Sequence, residues 1–326
     1  MYTTLHAIRL FAGTLILYAG AELLVRGSAS LARAFGVKAL VIGLTVVAYG
    51  TSAPELAVST EAALDNAQPV VLGNVIGSCA ANISLILGLA ALIAPPVVDG
   101  RIIRREVPIL LGSAIAVPVM LRDGEISRVE GAILVVCAIL FTIITLAVAS
   151  REHVSAEDAE AARAAEDAGV SYGGKSHSKA SRPIAIILSA AGMALLVYGS
   201  HLFVVGARGV AAYYAMSDRV LGMTLIALGT SLPELIGTTM AALRGHGSLA
   251  VGSVIGSNLL NVFLVLGVVA YLRPIKVTVH AVDLVGLVTI TLLAVLFLRG
   301  SRRMSRVEGA ILVLAYAAFI AAAIAL

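Results

Sequence analysis

The sequence predicts an all-α integral membrane protein of ten transmembrane helices, arranged as two inverted repeats of five helices each. Three observations support this fold class. Hydrophobic residues make up 60% of the 326 residues and charged residues only 13%, whereas soluble domains are about 25% charged. Apolar runs long enough to cross a bilayer recur along the chain, and the same motifs appear once in each half.

This composition, with a mean hydropathy of +1.00, argues against a soluble enzyme, a disordered chain or a nucleic-acid-binding protein. The excess of 23 basic over 19 acidic residues is small and is typical of loops that orient a membrane protein. Two cysteines suggest neither a disulfide framework nor a thiolate metal site. The partner we expect is therefore the lipid bilayer, with no nucleic acid and no obligate protein partner.

A helix needs about 20 mostly apolar residues to cross the hydrocarbon core. Runs of this kind lie near residues 5–25, 29–63, 69–94, 104–121, 127–149, 183–206, 208–242, 248–272, 281–298 and 306–325. The second and seventh runs are too long for one straight crossing, and each is interrupted in its middle. No small-residue cleavage pattern follows the first run, which we interpret as a retained helix rather than a signal peptide.

A polar segment, residues 150–182, separates a first half at 1–149 from a second half at 183–326 and is interpreted as a solvated linker. Of the 23 basic residues, 16 fall on the side that carries this linker and 7 on the other. The positive-inside rule then predicts a cytoplasmic linker and two outward-facing termini. A linker without a large regulatory domain favours a prokaryotic plasma membrane, that is, an inner membrane.

The two halves match at an offset of 179 residues. GLTVVAYGTSAPE at 43–55 corresponds to GMTLIALGTSLPE at 222–234, and GNVIGSCAAN at 73–82 corresponds to GSVIGSNLLN at 252–261. SRVEGAIL recurs at 127–134 and 305–312. Three blocks in the same order indicate a tandem duplication. Because each half has an odd number of spans, the second half enters the membrane from the opposite side, which is typical of secondary transporters.

A glycine, a proline and a glutamate recur in both halves, deep in apolar sequence: Gly50, Pro54 and Glu55, then Gly229, Pro233 and Glu234. Charged side chains inside a membrane are costly and mark function. Proline has no N–H, so the glycine carbonyl four residues earlier loses its helical partner. We therefore expect a broken helix at membrane depth in each half, where it lines a cavity or binds an ion.

Further oxygen donors accompany these glutamates at helical spacing. Thr51 precedes Glu55 by four residues, so the two share a helix face, and Ser78 and Asn82 have the same spacing. The second half repeats the set as Thr230, Glu234, Ser257 and Asn261. Oxygen ligands alone predict Ca²⁺, Na⁺ or Mg²⁺ rather than Zn²⁺ or Cu⁺. The alternative, that hydroxyls and amides only join packed helices, does not explain a duplicated set around two carboxylates.

The motifs GTSAPE and GTSLPE, each followed by a G-[NS]-V-I-G-S block, resemble the two alpha-repeats of the sodium/calcium exchanger family. That family belongs to the calcium/cation antiporter superfamily. The resemblance covers both halves and implies a ten-helix fold whose second, third, seventh and eighth helices form the ion site. It further implies exchange of external Na⁺ for internal Ca²⁺ by alternating access, with transported ions and no cofactor.

The resemblance also implies a role for each matching residue. The Ca²⁺ ligands are Thr51, Glu55, Thr230 and Glu234. The Na⁺ ligands are Ala48, Thr51, Ser52, Glu55, Ser78, Asn82, Ala227, Thr230, Ser231, Glu234, Ser257 and Asn261. In this assignment Ala48 with Ser78, and Ala227 with Ser257, flank two outer Na⁺ positions, and the two asparagines line a middle position.

Two positions depart from a simple family pattern. Some family members carry an aspartate where this chain has Asn261, so only two carboxylates remain, enough to neutralise one Ca²⁺ or two Na⁺. A third Na⁺ would leave positive charge in a low-dielectric site, which leaves the stoichiometry open. Cys79, at the place of Asn258, is interpreted as a small apolar filler. Apart from these two departures, His201, at the place of Glu22, is interpreted as a packing or interfacial residue rather than a proton sensor.

Three other functions remain open from the sequence. The nearest is a Ca²⁺/H⁺ antiporter, although Thr and Ser beside each glutamate supply the extra oxygens that Na⁺ needs. An intramembrane hydrolase would need a serine paired with His201, and no duplicated serine accompanies that histidine. A passive channel fits less well, because interrupted helices with occluding glutamates favour a carrier.

Overall fold

The computed structural model describes residues 2–35, 39–96, 100–151, 182–213, 217–278, 280–300 and 304–325. These residues are almost entirely helical. The first half contains α1 (Tyr2–Phe35), α2 (Ala39–Ile42), α3 (Ala48–Thr51), α4 (Ala53–Leu64), α5 (Gln68–Ala80), α6 (Leu87–Ile93), α7 (Gly100–Met120) and α8 (Arg128–Arg151). The second contains α9 (Arg182–Tyr213), α10 (Asp218–Leu221), α11 (Ala227–Thr230), α12 (Leu232–Leu243), α13 (Gly247–Leu260), α14 (Gly267–Leu272), α15 (Ala281–Gly300) and α16 (Arg306–Ala325).

Seven helical segments without a sharp bend are long and apolar enough to span a membrane among the described residues: Leu40–Leu64, Gln68–Ile93, Arg128–Val148, Arg182–Phe203, Gly247–Leu272, Ala281–Gly300 and Arg306–Ala325. The bent pair Asp218–Thr230 and Leu232–Leu243, whose parts meet at 43°, makes an eighth. The all-α membrane fold is therefore confirmed. Helices α1 and α7 occupy the two remaining predicted spans, and the count of ten stays a prediction.

The predicted ends of two long spans were wrong. The run at 29–63 was assigned to the second span, but α1 continues to Phe35 and the second span begins at Ala39. Likewise α9 continues to Tyr213, so the seventh span begins at Asp218 and not at 208. Hydropathy underestimates α1 because its end is polar, yet Arg26 and Glu22 form an i,i+4 ion pair of 2.6 Å there. Such pairs support a helix beyond its apolar stretch.

The half boundaries at 149 and 183 stay a prediction, and the predicted linker lies almost wholly outside the described residues. Two short strands, β1 (Glu125–Ile126) and β2 (Ile275–Lys276), pair antiparallel between the halves. Beside them Arg273 donates to the carbonyls of Ala63 and Leu64, each at 3.2 Å. These carbonyls lie at the end of α4, and the last carbonyls of an α-helix have no N–H partner in its regular i→i+4 ladder. A side chain from the second half therefore caps a helix of the first half.

Helices α1 and α9 pack against each other through glycines. A Cβ placed on Gly13 would lie 2.8 Å from the carbonyl oxygen of Gly199, and one on Gly20 would lie 2.9 Å from that of Gly192. Only a residue without a side chain allows backbones to approach so closely in a membrane helix pair. The two longest helices therefore form one tight pair along one side of the molecule.

Glycines also interlock the two halves. A Cβ on Gly77 of α5 would lie 2.7 Å from the Cβ of Ala227, and one on Gly256 of α13 would lie 2.7 Å from the Cβ of Ala48. The two contacts are equivalent under the repeat, because Gly77 corresponds to Gly256 and Ala48 corresponds to Ala227. Each half thus places a glycine against the other half, next to the predicted ion-site residues Ala48 and Ala227. These two contacts form the crossing of the halves.

Candidate ion-binding site

Four π-helical turns surround the crossing: Gly43–Val47, Ala81–Ile86, Gly222–Ile226 and Asn261–Leu266. They occur at equivalent places in the two halves, directly before Ala48 and Ala227 and around the two asparagines. A π turn inserts one extra residue into a helix and is frequent at functional sites because it redirects the following side chains.

The sequence motifs do not predict these turns, because one extra residue within an apolar run leaves the hydrophobic pattern unchanged. A weak signal was present in three of them. Thr45, Ser84 and Thr224 each donate a side-chain hydrogen bond of 2.6 Å to the carbonyl four residues earlier. Such back-bonding offers the backbone an alternative to the regular helix ladder and bends helices.

Each predicted broken helix contains one non-helical residue. Ser52 separates α3 from α4 with φ −80° and ψ −1°, and Ser231 separates α11 from α12 with φ −85° and ψ 6°. Pro54 and Pro233 lie in the first turn of the helices that follow, where the missing N–H costs least. The chain therefore resumes a helix at once, and the break is short. Gly50 packs against the side chain of Met193 on α9.

The two glutamates are completely buried at this break. The hydroxyl of Ser231, from the second half, donates to Oε1 of Glu55 at 3.1 Å. The Oε2 atom of Glu55 and both carboxylate oxygens of Glu234 have no hydrogen-bond partner among the described residues. Two buried carboxylates with three unsatisfied oxygens are costly in an apolar interior unless a cation compensates them.

The serine and threonine hydroxyls reach across the halves. Thr51 Oγ1 lies 3.2 Å from Ser257 Oγ, and Ser78 Oγ donates to the carbonyl of Ala227 at 3.5 Å. The family resemblance implies that Ser78 flanks a Na⁺ position together with Ala48 of the same half. The hydrogen bond given by the structure joins it instead to Ala227, because the glycine interlock brings α5 onto the second half.

Asn82 and Asn261 are fully buried, and none of their amide atoms has a hydrogen-bond partner among the described residues. Native proteins rarely leave buried amides unsatisfied, so such groups point to a bound ion or water. Ser52 Oγ is buried and unpartnered among the same residues. The structure thus joins Thr51 with Ser257, Ser78 with Ala227 and Glu55 with Ser231 across the halves. The amides of Asn82 and Asn261 and the carboxylate of Glu234 are buried and have no hydrogen-bond partner among the described residues.

The ligand atoms at the site are of the kind that a hard cation prefers. No group of three or more His, Cys, Asp or Glu side chains that suits a metal ion occurs in the described part of the chain. The donors beyond the two carboxylates are therefore neutral hydroxyl, amide and carbonyl oxygens. Carboxylate and neutral oxygens are the ligands that Ca²⁺ takes in proteins.

Two residues fall outside the duplicated pattern, Cys79 and His201. Cys79 is buried, with its Sγ 3.9 Å from the carbonyl of Asn258, as a small filler would be. His201 is exposed on α9. It lines a cavity of about 1000 Å³ that also touches Pro54, Val58 and Met193.

An oxygen-lined site at the crossing of two interlocked halves of a helical membrane protein is the arrangement of secondary transporters. The family described as "Sodium/calcium exchanger protein" matches residues 5–147 and 184–325. The chain belongs to this sodium/calcium exchanger family, which confirms the resemblance of the alpha-repeat motifs. Because the family consists of exchangers, the protein is a membrane transporter and not an enzyme.

Individual relatives agree with the family. The chain is 34% identical over 285 residues to the putative antiporter CaxA of Alkalimonas amylolytica, which covers 86% of each chain. It is 32% identical over 242 residues to the inner membrane protein YrbG of Escherichia coli K12, covering 73% of this chain and 71% of YrbG. A solved structure of the sodium-calcium exchanger NCX_Mj, soaked with 10 mM Na⁺ and zero Ca²⁺, superposes with a TM-score of 0.80. That structure is 33% identical and covers 98% of this chain and 99% of its own.

Proposed function

We propose that the protein is a secondary active antiporter that exchanges Na⁺ for Ca²⁺ by alternating access, with Glu55 and Glu234 binding the competing ions. The observation that carries this proposal is the pair of buried glutamates, one from each half, among neutral oxygens at the crossing. The exchanger family and the likeness to NCX_Mj support the choice of ions. Ca²⁺ and Na⁺ are then transported substrates, and no cofactor takes part.

Ca²⁺ binds between the two carboxylates, with Thr51 and Thr230 completing its ligands. Two carboxylate charges neutralise one Ca²⁺, which removes the cost of leaving them buried and unpaired. The hydroxyl of Ser231 already holds Glu55 from the opposite half. Ca²⁺ binding therefore joins the halves through ligands that neither half supplies alone.

Na⁺ uses the same glutamates together with hydroxyl and carbonyl oxygens. Ser78 with the Ala227 carbonyl forms one position, and Ser257 with Thr51 beside Ala48 forms the other. Asn82 and Asn261 line the middle position, and Ser52 and Ser231 lie in the adjoining breaks. Because the carboxylates serve both ions, Ca²⁺ and a full set of Na⁺ exclude each other, and this exclusion couples the two fluxes.

Alternating access is supported by a difference between the two halves. Helix α1 packs directly on α12. At the related place in the first half, the cavity of about 1000 Å³ lies between α9 and α4, beside Pro54. We propose that exchanging these two packings opens the site to the other side of the membrane. Only a charge-compensated site crosses the apolar barrier between these states.

The orientation we propose has the 150–182 segment in the cytoplasm and both termini outside, in a prokaryotic inner membrane. The distribution of basic residues supports this direction. Likeness to an inner membrane protein of Escherichia coli supports the membrane.

The coupling ion is tested by Ca²⁺ uptake into proteoliposomes loaded with Na⁺, compared with vesicles that carry only a pH gradient. We expect uptake driven by the Na⁺ gradient and insensitive to a protonophore. Uptake driven by the pH gradient alone would overturn the assignment and make the protein a Ca²⁺/H⁺ antiporter, with the glutamates as proton carriers. Flux without any counter-ion, at rates far above carrier turnover, would identify a channel.

The sodium-only ligands are tested by Ser78→Ala. Loss of this hydroxyl should raise the Na⁺ concentration for half-maximal exchange about threefold to tenfold, since a neutral ligand contributes on the order of 1 kcal/mol. Half-saturation by Ca²⁺ should not change in Ca²⁺/Ca²⁺ exchange.

Ser113→Ala is the matched control for this variant. Ser113 is also buried, but it lies on α7, away from the π turns, and its hydroxyl donates to the carbonyl of Leu110 in the same helix. It should therefore leave both half-saturation values unchanged. An equal effect of Ser78→Ala on Na⁺ and Ca²⁺ would contradict a sodium-only role for Ser78.

A further inference from the structure

The two halves differ at one pair of equivalent positions behind the ion site, Asn74 and Ser253. Their places in the packing correspond. A Cβ on Gly222 would lie 3.4 Å from the backbone nitrogen of Asn74, and one on Gly43 would lie 3.1 Å from that of Ser253. The two halves thus hold an amide and a hydroxyl, respectively, in the same setting.

In the first half the amide of Asn74 joins two helices. Its Nδ2 donates to Ser59 Oγ of α4 at 3.0 Å, and its Oδ1 accepts from Thr230 Oγ1 of α11 at 3.2 Å. All three side chains are completely buried. Asn74 therefore fixes the hydroxyl of Thr230, a predicted ion ligand, from behind.

In the second half the corresponding residues are Ser253 and Thr238, and this connection is missing. Ser253 is 3% exposed and Thr238 is 1% exposed. Neither hydroxyl has a hydrogen-bond partner among the described residues. The equivalent ligand, Thr51, has its hydroxyl 3.2 Å from Ser257 instead.

We propose that Ser253 and Thr238 bind one buried water molecule in the place that the Asn74 amide fills in the first half. A serine side chain has two heavy atoms fewer than asparagine, a difference that is close to the size of one water molecule. Buried polar groups without protein partners are commonly satisfied by such a water, which makes two to four hydrogen bonds. Both donors are neutral, so the ligand is water rather than a cation, which needs compensating charge when buried.

The water makes the two ion-binding halves unequal. On the first-half side a covalently fixed amide holds Thr230, whereas on the second-half side an exchangeable molecule stands behind the site and Thr51 is held by Ser257. That consequence for transport rests on the proposed function. The water site itself does not, and its test below needs no transport assay.

The test is a structure of the full chain at a resolution that shows buried waters, with two variants that exchange the residues between the halves. In the wild type we expect density for one water within hydrogen-bond distance of Ser253 Oγ and Thr238 Oγ1. Ser253→Asn should remove it, and Asn74→Ser should create a matching water beside Ser59. A map that resolves other buried waters but shows none at Ser253 would overturn the proposal.

A soak with Tl⁺ separates water from a monovalent cation. We expect no anomalous signal between Ser253 and Thr238, and a signal there would replace the water site by a cation site. Thermal unfolding supplies a second readout. Ser253→Asn should raise the Tm by about 2–4 °C, because the asparagine amide replaces the bound water and releases it to solvent. Asn74→Ser should lower it, and a change of the opposite sign in both variants would contradict the proposal.

Discussion

Replacing either buried glutamate by glutamine is expected to abolish Ca²⁺ transport while the protein remains folded. Glu55→Gln and Glu234→Gln keep the side-chain volume but remove one of the two charges that face the ion. A charge interaction at about 4 Å is worth roughly 4 kcal/mol at an effective dielectric constant of 20. The loss in exchange should therefore be at least about 100-fold, measured as Na⁺-driven ⁴⁵Ca²⁺ uptake into proteoliposomes.

The folded state should tolerate these changes because three of the four carboxylate oxygens have no hydrogen-bond partner among the described residues. A neutral amide is cheaper to bury than an unpaired charge, so the Tm should be unchanged or higher. Glu308→Gln is the control, since Glu308 accepts hydrogen bonds from Ser305 at the start of α16 and glutamine serves equally in such a cap. If either glutamine variant exchanged ions at the wild-type rate, the assignment of these glutamates to the ion site would be wrong.

A methyl group at Gly256 is expected to disturb the ion site although the substitution replaces no ion ligand. The new Cβ of Gly256→Ala would lie 2.7 Å from the Cβ of Ala48 and 3.0 Å from the carbonyl oxygen of Leu44. Backbone must move to relieve these contacts, at a cost of about 1–3 kcal/mol. The movement separates Ser257 from Thr51, and since a preorganised site tolerates shifts of only about 0.5 Å, exchange should fall about tenfold.

Gly237→Ala is the matched control for Gly256→Ala. Gly237 also lies within a helix of the second half, but a Cβ there meets nothing within 4 Å. Alanine is a better helix former than glycine by about 1 kcal/mol, so this variant should be at least as stable as the wild type. Equal exchange rates in the two variants would show that the glycine interlock does not position the site.

The spacing of polar residues in the sequence was enough to indicate the site. Glu55 and Glu234 recur at the same offset as their neighbouring threonines, serines and asparagines, and physical cost explains why such residues stay in apolar sequence. The repeat also predicted that the second half reverses direction. The predicted pairing of Ser78 with Ala48 differs from the hydrogen bond of Ser78 to Ala227, because that contact depends on how helices from different halves cross, which no local pattern records.

Other features required the structure for distinct physical reasons. The π turns at Gly43 and Gly222 add one residue within an unbroken apolar run, so hydropathy does not change. The polar end of α1 reads as a loop, although ion pairing between Arg26 and Glu22 continues the helix. The difference between Asn74 and Ser253 is visible in the aligned halves, but its consequence depends on the partners of Ser59 and Thr238.

The crossing of the halves has a consequence for the order of biosynthesis. Glu55 receives its hydrogen bond from Ser231, 176 residues later in the chain. At about 5–20 residues per second of synthesis, this interval lasts roughly 9–35 s. During that time the first half is already entering the membrane, and the residue that donates to the Glu55 carboxylate has not yet been synthesised. A chain that stops within this interval contains Glu55 but lacks the Ser231 hydroxyl that donates to it.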